Sequence, residues 1–406
     1  MEAADFYRDA RADLAGPLDG VRVLDVTTVW SGPMASCVLA DLGADVIRVE
    51  LPSNRAGQLE PLIPGTGLSW FDQTVNRNKR SVSLDLRTPA GQEVFLALAG
   101  TADIVVENFQ PGTMARWGIG FDRLHREHPG LILVSISGWG GFGPGARRRG
   151  YDPIVQAESG WMALNGAADG PPVKAPTFLA DDLAGLHGAI GALAALRHRD
   201  ATGEGQHVDV AMTDALLFQS NGYLTLAAAG APPVRRGDET EFLVPSNSYA
   251  CRDGAVYLVV AFDRQWRALA ELVGRPELAR APGFATNRER RARREPVNAL
   301  LAQWCATRDA AQVLADLDRI GIAAGRVRSL SEVATDEHVR ARGMLAATEL
   351  SDGSVAELTG PVAKFGRTPT GVRRGASVRG EHTDELLAAV GYDDEARAKL
   401  RADGVI

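Results

Sequence analysis

The chain has 406 residues, with 44 Lys+Arg against 51 Asp+Glu, a formal net charge of −7 and a pI near 5.6. Apolar residues make up 45% and charged residues 23%, ordinary values for a globular chain long enough to bury its own core. The acidic balance argues against a nucleic-acid scaffold, and three scattered cysteines (Cys37, Cys251, Cys305) with no CxxC exclude a disulfide framework and speak against a zinc or iron–sulfur site.

In chain order, the charged start MEAADFYRDARADLAG does not read as a signal peptide. Val21–Val26 is a short β-type run, Ser31-Gly32-Pro33 a turn that opens a helix, and Met34, Val38, Leu39 and Leu42 share one helical face. Asp45–Glu50 is the next strand. Thr88-Pro89 predicts a helix start, with Thr as cap and Pro at the first helical position. Val94, Phe95 and Leu98 then line one face before a strand at Asp103–Val106. A helix at Phe121–His128 feeds the strand Leu131–Ile136, and a helix from about Leu183 to Arg197 precedes the strand Gln206–Ala211. The weakly polar stretch Ala184–Leu196 is too short to span a bilayer. Alternating strands and helices predict a parallel sheet covered on both faces.

The texture changes near Gly230. Ser248–Cys251 and Ala255–Val260, split by Arg252-Asp253-Gly254, predict a hairpin. Helices follow at Arg264–Val273, Glu295–Ala306 and Ala310–Ile320, then an irregular stretch from Glu332 to Lys364 and tail helices at Thr383–Gly391 and Glu395–Ala402. At about 150 residues per domain the length predicts two to three domains. They divide as a large α/β part over residues 1–229, a smaller α+β domain over 230–325, and a returning segment over 326–406.

Several segments are candidates for chemistry. The first βα turn, Thr28 to Pro33, occupies the ligand position of a doubly wound sheet but lacks GxGxxG. The glycine-dense Gly138–Gly145, which includes Gly140, fits either a flap over a site or an irregular loop, and has no Walker ending. Arg147–Arg149 and the Arg288–Arg294 cluster fit either a phosphate site or a solvated face. Asp181-Asp182 precedes an apolar helical run, so Asp181 is either a helix cap or an ionised nucleophile beside free backbone N–H groups. There is no GxSxG, no HExxH and no Cys near a His, which removes support from serine-hydrolase, zinc-hydrolase and kinase chemistry.

Longer phrases carry a resemblance. PLDGVRVLDVTTVWSGPMASCVLADLGADVIRVE, NRNKRSVSLDLRTPAG, ADIVVENFQPGTMARWGIG, YDPIVQAESG, LADDLAGLHGAIGALAALRHRDATGEGQHVDVAM and GEHTDELLAAVGY resemble, in one order from Leu18 to the C-terminus, the class III CoA-transferases (the CaiB/BaiF family). The resemblance implies an α/β fold in which a Rossmann-like large domain carries an inserted smaller α+β domain, with two chains interlocked as a ring-like homodimer. It places the nucleophile at Asp181 and sets Val29, Trp30 and Ser31 beside the pantetheine and thioester. Trp30 stands where formyl-CoA transferase has glutamine. Leu84, Arg87, Arg116 and Trp117 fall in the adenosine–phosphate region, and Tyr151 falls near the reacting centre. The family's glycine-rich flap falls near Val244-Pro245-Ser246-Asn247, where it is absent.

The activity so implied is transfer of CoA from an acyl-CoA to a free carboxylic acid, in the cytosol, with no tightly bound cofactor, no metal, and no nucleic-acid or membrane partner. Asp181, expected to be ionised at about pH 7 and to need no general base, attacks the thioester and leaves a mixed anhydride. Backbone N–H groups near Asp181 and in Gly138–Gly145 are expected to stabilise the oxyanion. The family's racemase branch is the alternative. There the corresponding tripeptide carries a His before its Asp, whereas this chain has Gly150-Tyr151-Asp152, and Asp263 stands near the second carboxylate. A non-catalytic CoA-binding protein on the same fold is a third alternative.

Overall fold

The computed structural model describes residues 2–52 and 61–406. Six strands, β1 (Arg22–Asp25), β2 (Asp45–Glu50), β3 (Lys79–Ser83), β4 (Ile104–Glu107), β5 (Ile132–Ser137) and β6 (His207–Ala211), form one all-parallel sheet in the order β3-β2-β1-β4-β5-β6. Parallel neighbours need long crossovers. Helices α1 (Ser31–Asp41), α2 (Trp70–Val75), α3 (Pro89–Ala99), α4 (Phe121–Glu127), α5 (Asp152–Glu158) and α6 (Leu179–Thr202) lie along them. The strand order reverses between β1 and β4, the place where doubly wound sheets open a crevice at their carboxyl ends.

Period-two alternation divides the strand side chains between two cores. Leu24, Val105 and Leu133 pack with Val94, Phe95 and Leu98 of α3 on one face. Val23, Ile104, Val106 and Val134 pack with Leu39 of α1 and Ala184, Ala189 and Ala192 of α6 on the other. Each fully buried Leu or Phe contributes about 1.5–3 kcal/mol. The C-terminal helices Thr383–Ala389 and Asp394–Ala402 return to the first face, where Leu386, Leu387, Leu400 and Val405 are buried. Thr88 caps α3, its hydroxyl accepting the Gly91 N–H at 3.0 Å, as its Thr-Pro start predicts.

By compactness the chain divides into a larger unit (Met1–Trp161, Lys174–Pro232 and Glu337–Ile406) and a smaller one (Met162–Val173 and Pro233–Asp336). The segment Met162–Val173, ahead of the textural change at Gly230, thus belongs to the smaller unit. In the smaller unit β7 (Ser246–Cys251), β8 (Gly254–Val259) and β9 (Ala323–Arg326) form an antiparallel sheet. Its core gathers Trp266, Leu269, Val297, Leu301, Val313 and Leu317. The β7–β8 turn is the two residues Arg252 and Asp253, because Gly254 already pairs with Cys251. The stretch after Glu332 is more regular than its composition predicts, with an antiparallel hairpin of Leu345–Glu349 and Val355–Thr359.

Two departures matter for the site. First, α6 begins four residues before the expected start, so Asp181 and Asp182 lie inside its first turn rather than ahead of it. The capping reading of that pair fails: the N-cap is Phe178, which offers no side-chain cap. Instead the buried Asp152 carboxylate, brought from α5, accepts the Ala180 N–H at 2.7 Å. With 24 residues and a hydropathy of 1.3 α6 matches a membrane span in length and composition. Its small-residue face is nevertheless packed on α1 and the sheet, with Gly188 and Ala192 buried. Gly185 makes the α1 contact possible, since a β-carbon there would stand 2.8 Å from Met34 Cγ and 2.9 Å from the Ser31 carbonyl oxygen.

Second, strand β3 begins with a buried lysine. Lys79 Nζ reaches Asp25 Oδ2 at 2.7 Å, Ser36 Oγ at 2.8 Å, the Pro33 carbonyl at 2.9 Å and Asn76 Oδ1 at 3.0 Å. Both charges are essentially inaccessible. Burial alone would push the Asp25 carboxyl up, but the Lys79 charge and hydrogen bonds from Lys79, Ser36 and Thr27 take it below the usual carboxylate range. Removing one partner strands the other. Lys79→Met is therefore expected to lower unfolding free energy by about 3–5 kcal/mol, and adding Asp25→Asn to it to recover most of that loss, both read from urea denaturation midpoints.

Candidate active site

The first βα turn is held from below and from the side. Asp25 Oδ1 accepts the Thr27 N–H at 3.0 Å and the Thr27 hydroxyl. The Asn108 side-chain amide, at the end of β4, accepts from Thr28 N–H at 2.9 Å and donates to the Thr28 carbonyl at 2.7 Å. Between these anchors Val29 is forced to φ +66°, a strained value for a β-branched residue, with its side chain 54% exposed. Trp30 and Ser31 follow, and Ser31 opens α1.

This turn meets the head of α6. The Ser31 hydroxyl acts on the Asp181 carboxyl so as to favour its charged form. The Trp30 indole N–H donates to Asp182 Oδ1 at 2.6 Å. Asp181 is 9% exposed. Burial, first, and then the charges of Asp152 and Asp182 push its carboxyl up to about 7, against the opposing influence of the Ser31 hydroxyl. The environment thus works against the full ionisation expected of a nucleophile. Asp182 is raised for the same reasons, burial before the Asp152 charge, with the Trp30 indole opposing. Its partner is thus a neutral donor.

A cavity of about 630 Å³ opens at the carboxyl ends of β1, β2 and β3 and joins residues from segments far apart in the chain, from Val26 to Arg379. Val29, Leu84, Arg87 and Trp117 of the expected coenzyme set all line it. Arg116 is not among the lining residues; its guanidinium donates to Thr113 Oγ1 at 2.8 Å on the exposed face of the next short helix. Arg87 is held by Asp85 through two hydrogen bonds of 2.8 and 2.6 Å.

Sequence reasoning missed two further cavity cations and an aromatic ring. Arg48, on β2, pairs with Asp72 at 2.9 Å and Glu50 at 3.2 Å; Arg379 comes from the C-terminal segment; Phe71 belongs to α2. Arg48 falls within a strand and Arg379 after the irregular stretch, so neither carries a local motif. Asp152 was read only as part of a tripeptide, although Gln156 Nε2 bonds it at 2.7 Å one turn later, a spacing visible in the sequence.

Other candidates fall elsewhere. Tyr151 is 64% exposed as the N-cap of α5, next to Asp152. Gly140, at φ +82°, lies beside Asp209 and Ala211 of β6. The neighbouring Gly141 N–H donates to both Asp209 oxygens at 2.9 Å, so that amide is already engaged and is removed from the oxyanion donors. The Thr213 hydroxyl pins the Gly138 carbonyl at 2.8 Å, which makes the glycine-dense segment an anchored loop. Arg148 stacks over Trp139 at 4.2 Å and pairs with Glu158. Arg290 is fully buried against Asp263 and the Val244 carbonyl, and Arg294 pairs with Glu239. Arg148, Arg290 and Arg294 are thus engaged within the fold, and Asp263 is occupied within the smaller unit.

Comparison with known proteins agrees with this geometry. Residues 18–383 match CoA-transferase family III. The chain is 36% identical over 402 residues to the succinyl-CoA–L-malate CoA-transferase beta subunit of Chloroflexus aurantiacus, covering 96% of this chain and 98% of that one. It is also 36% identical over 390 residues to the succinyl-CoA:mesaconate CoA-transferase of Haloarcula marismortui, covering 93% and 97%. The crystal structure of a CaiB/BaiF family protein from Brucella suis superposes with a TM-score of 0.79 at 32% identity, over 93% of this chain and 100% of that one. With a doubly wound sheet, an aspartate at the head of α6 and a match over nearly its whole length, this chain belongs to CoA-transferase family III.

Proposed function

We propose that the chain moves CoA from an acyl-CoA to a free carboxylic acid, with Asp181 as the covalent carrier. The observation that carries this is the juxtaposition of a buried carboxylate at the start of α6 with the βα turn that also lines the cavity: Trp30 of that turn bonds Asp182 at 2.6 Å, and Val29 lies on the cavity wall. One Asp181 oxygen adds to the thioester carbonyl, the C–S bond breaks, and CoA leaves as thiolate, a fair leaving group because thiols titrate near about 8.5. The thiolate then attacks the aspartyl carbonyl of the anhydride, releasing the donor acid and leaving an aspartyl thioester. The acceptor carboxylate reverses both steps, and no ATP is needed. The coenzyme's phosphates are placed near Arg48, Arg87 and Arg379, and its pantetheine along Val29 toward Ser31. No tightly bound cofactor enters the scheme.

The family resemblance implies a homodimer. Leu186 and Ile190 of α6 present an exposed apolar stripe, and Phe218 and Leu224 are exposed beyond it, a surface suited to a second copy. The three free cysteines fit a reducing cytosol.

Racemization has less support, because Tyr151 occupies the place of the expected His and Asp263 is held by Arg290 at 3.0 Å. Mass spectrometry of peptides after reaction with an acyl-CoA and hydroxylamine is expected to place the label on Asp181. Label elsewhere, or full turnover by Asp181→Ala, overturns the assignment.

Two pH-dependent outcomes follow. Because only the carboxylate attacks, kcat/KM is expected to rise tenfold per pH unit below an apparent pKa of about 7 and to level off above it. Ser31→Ala removes a hydroxyl whose influence favours the charged form, so its limb moves to higher pH: the rate falls several-fold near neutrality and recovers at alkaline pH. For stability the sign is reversed. Asp181 binds its proton more tightly folded than unfolded, so its contribution is present below about pH 4 and is lost as pH rises through about 7. Asp181→Asn is accordingly expected to melt several degrees above the parent at about pH 8 and to match it at about pH 4.

A further inference from the structure

The head of α6 is walled by four aromatic rings drawn from three segments. The Trp30 ring lies 4.7 Å from Phe71, 5.0 Å from Phe178 and 5.6 Å from Trp70, centroid to centroid. Phe71 is also 6.3 Å from Phe178 and 5.9 Å from Trp70, so the cluster is continuous. Its buried backing is Trp30, 6% exposed, while Phe178 is 36% exposed. Phe71 lines the cavity, and Phe178 stands three residues before Asp181. The wall therefore runs from the cavity that we assign to the coenzyme to the carboxylate that we assign as carrier.

The two ends of this wall differ: carboxylates surround Asp181 at one end, and guanidinium groups line the cavity at the Phe71 end. The Trp30 indole is engaged by Asp182, and the buried Trp70 Nε1–H has no acceptor among the described residues, which leaves a donor for a substrate oxygen. The charges that act on Asp181 beyond its own are the carboxylates Asp152 and Asp182. An acyl group that ends in a second carboxylate would bring a further negative charge into this pocket and lay it against aromatic carbon. An uncharged acyl body gains ring contact and meets no repulsion.

We propose that the acyl groups this chain accepts are uncharged and apolar beyond their carbonyl (aromatic, unsaturated or branched), packed against Phe178 and Phe71, with Trp30 as the specificity-determining residue that supports both rings. This deepens the transfer reading and rests on it for the identity of the site. It separates the chain from the relatives whose names specify malate and mesaconate, both dicarboxylates.

The test compares benzoyl-CoA and isovaleryl-CoA with succinyl-CoA in two arms. In the kinetic arm, wild-type kcat/KM with one common acceptor is expected to favour the uncharged donors by about 100-fold, a discrimination of the size that leaving a buried charge unpaired produces. Trp30→Arg, which places a cation at the wall, is expected to narrow that ratio at least tenfold. If Trp30→Arg does not fold, Phe178→Arg reads the same face from a more exposed position. In the binding arm, calorimetry with Asp181→Asn is expected to give tighter binding of the uncharged thioesters by about tenfold, independent of any turnover. Equal or tighter binding of succinyl-CoA in that arm, or a wild-type preference for it in the first, overturns the inference. Retained binding preference with no label on Asp181 would instead overturn the transfer reading and leave the acyl class standing.

Discussion

Beneath the first βα turn, Lys79 and Asp25 form an ion pair sealed from solvent and tied to Ser36, Pro33, Asn76 and Thr27. A buried pair of this kind contributes little net stability, because desolvation offsets most of the attraction. What it contributes is position. The ammonium pulls together the end of β1, the first turn of α1 and the end of α2, and so leaves the turn at Val29–Ser31 one arrangement. Ser31 and Trp30 are then presented to Asp181 and Asp182 from a platform that does not rotate. The side is closed by the Asn108 amide and by Gly185, whose missing β-carbon lets α1 and α6 touch.

That rigidity matters because of where Asp181 sits. A cation beside it would hold it ionised at every relevant pH, but a tightly paired carboxylate is a poor nucleophile. Burial next to two other carboxylates does the reverse and raises it into the neutral range, where the charged fraction is still large and the oxygen is weakly solvated. The Ser31 hydroxyl and the N-terminal turn of α6 oppose that shift. The arrangement destabilises the native state above neutral pH, as functional sites commonly do. Asp152 serves twice here. It caps the backbone of α6 at Ala180, and through its charge it tunes the residue that follows.

Much of this was legible in the residues, and the illegible part has a physical pattern. Strands β1, β2, β4 and β5 announce themselves as Val/Ile/Leu runs because both faces of a parallel sheet are buried. Strand β3, sequence KRSVS, does not, since two of its three buried residues are Lys79 and Ser81, and the lysine's partner lies far along the chain in Asp25. The start of α6 was placed too late for a related reason: its first turn carries two carboxylates on top of an apolar pattern, and its cap is supplied from α5. Val29, Leu84, Arg87 and Trp117 were carried to one cavity by resemblance alone, whereas Arg48, Arg379 and Phe71 became visible only on folding.

The cavity's cations bear on how a polyanionic coenzyme is held by a chain with a net charge of −7. Arg48 and Arg87 do not wait as loose charges; each is already fixed by acidic neighbours, Asp72 and Glu50 for one and Asp85 for the other. Prior pairing weakens the field that a distant phosphate feels, so long-range attraction is modest. It also removes the rotamer entropy that two long side chains would otherwise lose on binding. On the proposed placement of the coenzyme, recognition depends on fit: its phosphates would meet guanidinium edges already oriented by Asp72, Glu50 and Asp85. The same turn carries Val29 at the cavity wall and Trp30 and Ser31 at the two carboxylates, so in the proposed scheme coenzyme seating and nucleophile geometry share a single short piece of strained backbone.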